Sequence, residues 1–109
     1  MPFDETLATR VRAELKSIRE VEERRMFGGL IFMVNGNMAA GIRRADLIVR
    51  VGPSASDAAL ERPGARVFDL TGRPMKAWVL VAAQAVAGKR ELRDWVGLGV
   101  DFARSLPKK

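Results

Sequence analysis

Leu7, Val11, Leu15 and Ile18 recur at spacings of four, four and three, so the opening segment predicts a helix over 4–18 with one apolar stripe. Asp4 stands where a side-chain oxygen can cap that helix, and Glu5 suits the positive end of its dipole. Past Ile18 the pattern turns polar, and Glu20, Glu22 and Glu23 read as a solvated connector. Carboxylates suit Mg²⁺ or Ca²⁺, but neither a turn glycine nor further oxygen ligands stand nearby. An apolar run, Met26 to Val34, then meets Asn35-Gly36 and a second run from Asn37 to Ile42. Asn-Gly between two such runs marks a type I′ hairpin, because both central residues need positive φ. Arg43-Arg44-Ala45 makes a second short connection to a third strand, Asp46 to Val51, which Gly52-Pro53-Ser54 ends.

Ser54 or Ser56 is placed to cap a short helix reaching Glu61, stopped by Arg62-Pro63-Gly64. Val67 to Leu70 and Ala77 to Ala82 read as two more strands around the turn Thr71-Gly72-Arg73-Pro74. A final helix starts near Ala87 or Gly88 and runs to Leu106, where Pro107 ends it. Leu92, Trp95, Val96, Gly99, Phe102, Ala103 and Leu106 form its stripe. Gly97 and Gly99 each cost about 1 kcal/mol relative to alanine, which points to close helix packing. The order is therefore α-β-β-β-α-β-β-α: an α+β, two-layer domain spanning 1–109, with a largely antiparallel five-stranded sheet and helices packed on it.

The strands do not alternate as strands with one wet face should. Met26, Gly28, Leu30, Phe32 and Val34 share one side and Phe27, Gly29, Ile31 and Met33 the other, with no polar side chain on either. Ala77 to Ala82 is also apolar on both sides. Two long helices and one short one can cover one face, so the second is expected to be buried by a protein partner, most simply a second copy related by a two-fold axis. The candidate interface is Met26, Phe27, Ile31, Phe32, Met33 and Met38, the methionines supplying adaptable apolar surface. Helices on both sides of the sheet are the alternative.

Charge adds a competing partner. Residues 1–23 carry four basic and six acidic groups, and residues 24–109 carry fifteen basic and seven acidic, so a net −2 precedes a net +8. Fourteen of the nineteen cations are arginine, which pairs bidentately with phosphate and carboxylate. Arg24, Arg25, Arg43, Arg44, Arg50, Arg66 and Arg73 are the candidate anion-binding residues, and nucleic acid the alternative partner. A net charge of +6 equally serves solubility, and no block rich in lysine and arginine appears.

Catalysis is argued against by residue types. Histidine, cysteine and tyrosine are all absent, which removes the usual general bases near neutral pH, thiolate nucleophiles, phenolic acids, zinc-thiolate sites and disulfides. Asp57 with Glu61 reads as a solvated i,i+4 pair, Lys76 as a strand-start lysine facing water, and Gly28-Gly29 fits no phosphate-loop motif. No enzyme activity, metal or cofactor is expected. The longest apolar or glycine run has nine residues, against about 20 for a bilayer helix, and Met1-Pro2-Phe3-Asp4-Glu5 lacks the basic and apolar regions of a signal peptide. The expected location is cytoplasmic.

Arg25-Met26-Phe27-Gly28-Gly29 followed by Val34-Asn35-Gly36-Asn37-Met38-Ala39 resembles the signature of the TfoX/Sxy family N-terminal domain. Arg73-Pro74-Met75 with Trp78 and Val81, then Leu92-Arg93-Asp94-Trp95, resemble its later blocks in the same order. The resemblance implies a two-layer fold like that of secretion-chaperone domains. It also implies a place among regulators of natural competence and transcription, here as a stand-alone domain without the C-terminal domain that follows it in those regulators. It supplies no catalytic residues.

Overall fold

The computed structural model describes residues 3–26, 28–69 and 74–108, the side chains of 74 and 75 excepted. The elements are α1 (Glu5–Glu14), β1 (Val21–Met26), β2 (Gly29–Val34), β3 (Asn37–Arg43), β4 (Asp46–Arg50), α2 (Ser56–Leu60), β5 (Ala65–Asp69), β6 (Pro74–Val81), a 3₁₀ turn (Ala83–Val86) and α3 (Lys89–Ser105). The six strands form one sheet in the order β1-β2-β3-β4-β6-β5, and every neighbouring pair is antiparallel.

The sheet thus has six strands where the sequence predicts five. The apolar run that reads as one strand from Met26 is split: Gly28 has φ 71°, and Met26 pairs with Gly29 across a two-residue loop. Its first arm, β1, is the stretch that reads as an acidic connector. It is an edge strand, exposed from Glu22 to Arg25, so it carries charges where a central strand carries apolar residues. The other expected turn is present: Asn35 and Gly36 have φ of 54° and 79° between the paired residues Val34 and Asn37.

Asp4 caps α1 by accepting from the Leu7 N–H at 3.0 Å. Neither Ser54 nor Ser56 caps α2, whose N-cap position is Ala55; Ser56 lies inside the helix and is buried. In α3, a Cβ on Gly99 would collide with the Ala39 carbonyl oxygen, so that glycine does permit close packing. Gly97 faces open space and does not.

One core joins Leu7, Val11 and Leu15 of the first segment and Leu92, Trp95, Val96 and Val100 of α3 to Leu30, Phe32, Val34, Ile42, Leu47, Val49, Val79 and Val81 of the sheet. Ile31, Met33, Ile48 and Phe68 are buried too, yet stand outside that cluster. Side chains alternate along a strand, so this division places the helices on one face of the sheet. The expectation of helices on a single face holds. Among the described residues no helix is long and apolar enough to cross a membrane.

Candidate binding face and basic end of the sheet

The register lines up one row across all six strands on the helix-free face. Arg24 pairs with Ile31, Ile31 with Gly41, Gly41 with Ile48, Ile48 with Leu80, and Leu80 with Arg66. An arginine closes each end of an apolar strip. Ile31 and Ile48 are only 1% and 2% exposed although no helix lies over them. Part of the reason is Gly41, where an added Cβ would lie 2.6 Å from Ile31 Cδ1. The missing side chain lets the isoleucine lie flat on its neighbour. Strand irregularities between Phe32 and Met33 and between Val67 and Asp69 also bend the sheet and raise its twist.

These placements change the reading of the candidate interface. Phe32 belongs to the helix-covered core at 0% exposure, because it points to the opposite face from Ile31. Ile31 and Met33 do occupy the helix-free face but are buried within this single chain. Met26 and Met38 are half-buried, and Phe27 lies outside the described residues. The face is apolar in sequence and largely closed in structure. Among the described residues the exposed large hydrophobic side chain is instead Val67, 45% exposed on β5.

The arginines do not form one patch. Arg24 pairs with Glu22 at 2.6 Å and Arg66 with Asp46 at 3.2 Å. Arg50 lies against the rings of Trp78 and Phe102, 5.5 and 5.3 Å from their centroids. Arg25 points to the helix side and covers the ring of Phe3 at 5.4 Å. Arg43 ends β3 and Arg44 begins the following turn with φ 56°, its carbonyl accepting from the Asp4 N–H. Arg25, Arg43 and Arg44 gather at one end of the sheet, and among the described residues none has a carboxylate partner. Arg73 lies outside them.

The resolved pKa shifts belong to one surface pair. Hydrogen bonds from Arg12 at 2.7 and 2.9 Å hold the Glu23 carboxyl below its ordinary value, and Glu23 raises Arg12 in turn. A wide depression of 590 Å³ lies beside the Asn35-Gly36 turn, where Glu20 pairs with Lys108 and Glu22 with Arg24. Among the described residues no three acidic groups are placed to hold a metal ion. Lys76 is exposed, as read from the sequence, and lines a 190 Å³ cavity with Asp57, Leu60, Val67 and Trp78. Sequence reasoning missed this cavity and Val67. The signal available was a valine at the centre of a short terminal strand.

The signature residues turn out to be fold-makers. Gly28 takes the positive φ of the turn from β1 to β2, Gly29 opens β2 where a Cβ would collide with the Ile42 carbonyl oxygen, Asn35-Gly36 turn β2 into β3, and Trp95 is 3% exposed in the core under the guanidinium of Arg62. No curated protein matches the chain. Its residues 13–103 match the TfoX N-terminal domain, and with most of the chain covered, the protein belongs to that family.

Proposed function

We propose that this chain is a noncatalytic binding module of a regulatory system, working through protein–protein contacts on its helix-free sheet face, with a second copy as the first partner. The family is linked to competence regulation, and a role in transcription or competence follows from that link. One observation carries the reading: the helices cover a single face, and on the other half-buried Leu80 stands in the row that Arg24 and Arg66 close. Half-buried Leu80 and Met38 supply what apolar contact the face offers, and the charged rim sets orientation. Sedimentation velocity from low to high micromolar is the test. A species of twice the 12.0 kDa chain mass is expected, reverting to 12.0 kDa in Leu80→Glu. A monodisperse monomer throughout that range would overturn the dimer.

Arg25, Arg43 and Arg44 favour a second reading, an anionic partner such as nucleic acid at the end of the sheet. Because phosphate binding releases counterions, such binding weakens steeply as salt rises. Double-stranded DNA titrated against the protein at two salt concentrations is the check, and absent or salt-insensitive binding dismisses it.

A further inference from the structure

The sheet has two edges: β1 is lined by charged side chains from Glu22 to Arg25, whereas β5 carries Val67 at its centre. The Ala82 N–H donates to the Gly64 carbonyl at 3.0 Å, and 64 and 82 are in register with the pairs Ala65–Val81 and Arg66–Leu80. In an antiparallel ladder, hydrogen-bonded pairs alternate with pairs that are not. Arg66–Leu80 is therefore the next bonded pair, and the N–H and C=O of Val67 point outward, away from β6. In the sheet β6 is the one strand beside β5, and among the described residues no turn or loop bond reaches Val67. The Val67 side chain is itself 45% exposed, and beside it the 190 Å³ cavity is walled by Pro53, Leu60 and Trp78. One residue thus offers a backbone N–H and C=O that the sheet leaves unpaired, a half-exposed aliphatic side chain and an adjoining recess with apolar walls.

We propose that the free edge of β5 receives an extended peptide segment of another protein, which adds as a seventh strand and lodges an aliphatic side chain beside Val67 in the recess against Leu60 of α2. Outward N–H and C=O groups select a polypeptide backbone, and the recess selects the side chain. A residue directly opposite Val67 would have its Cβ about 5 Å away on the same face, within reach of that recess. Charge separates this occupant from a second copy. Asp57, which lines the cavity, and Glu61 are exposed on α2, whose last turn holds no basic residue. A two-fold related copy joined at β5 would bring its α2 to the same side of the extended sheet and set these acids against their own duplicates. A foreign segment with a lysine or arginine flanking its aliphatic residue meets them with the opposite sign, while Lys76 guards the β6 side.

The surface is distinct from the helix-free face, so the two readings fail separately. The test is amide hydrogen exchange at Val67, read by NMR on the intact chain, with an acetylated and amidated peptide Lys-Thr-Val-Thr-Lys at millimolar concentration. The expected result is a slowing of the Val67 amide by at least about tenfold. The slowing should vanish when the peptide's valine is N-methylated, which removes its donor without touching the protein. Val67→Lys should also abolish binding while leaving the thermal midpoint unchanged, since the position is exposed. Unchanged exchange at Val67, protection confined to Ile48 and Leu80, or concentration-dependent protection without peptide would each overturn the proposal, the last by assigning the edge to a second copy.

Discussion

The two edge strands meet solvent with different chemistry. β1 presents Val21-Glu22-Glu23-Arg24-Arg25-Met26, and its charges are engaged. Glu23 is clamped bidentately by Arg12 of α1, Arg25 lies over Phe3, and Arg24 pairs with Glu22, so an incoming strand meets charged side chains on both faces. β5 presents Ala65-Arg66-Val67-Phe68-Asp69. There Arg66 is bound to Asp46, Phe68 is buried near Trp78, and Val67 is left standing at the rim. Along one row of the sheet the contrast is sharpest: Glu23, Phe32, Ala40, Val49, Val79 and Val67 run across the six strands, beginning in an ion-paired acid and ending in a half-exposed valine. An edge guarded by ion pairs is built to stay alone, and one ending in an aliphatic residue is available.

Substitutions can sharpen this contrast. Phe32→Ala, one strand in from the guarded edge, should cost about 3–5 kcal/mol in urea unfolding, whereas Val67→Ala should cost under about 0.5 kcal/mol. Equal losses would show that Val67 is as tightly packed as Phe32. Asp4→Ala removes the cap of the helix that carries Arg12, and a loss of about 1 kcal/mol is expected. Amide exchange should then quicken at β1 more than at β5. Glu23→Gln should cost only about 0.5 kcal/mol, because both partners are partly solvated. Its pH dependence has a definite sign. The folded Glu23 sits below its ordinary value of 4.5, so the stability it adds is present above pH 4.5 and is lost as pH falls through the folded value. Thermal midpoints of the native chain and Glu23→Gln should therefore converge in acid.

Elements defined by local chemistry were legible in the sequence. The Asn35-Gly36 turn, the Asp4 cap and the stripe of α3 each follow from residues a few positions apart. β1 was not legible, because an edge strand guarded by charge has the composition of a solvated loop. Nor could the pattern tell that Ile31 would bury itself on a bare face, since that depends on Gly41 of the neighbouring strand. The α2 cap was misread for a related reason. A serine before a short apolar stretch is a cap only if the chain enters at the right residue, and here entry is through Ala55 with Ser56 turned inward. The candidate interface was half legible: alternation separated Phe32 from Ile31, but only the side chosen by the helices decides which of them is core.

Asn37 follows the hairpin turn and is 2% exposed, with its side-chain amide donating to the carbonyl oxygens of Ala103 and Pro107, 66 and 70 positions further along. Within the turn itself that amide reaches only the Asn35 carbonyl, at 3.5 Å, so its buried bonds wait for those distant residues. On a ribosome the hairpin can close early, but it cannot settle until nearly all of this sequence has been translated. In the interval its apolar strands lie uncovered, the condition under which incompletely folded chains associate.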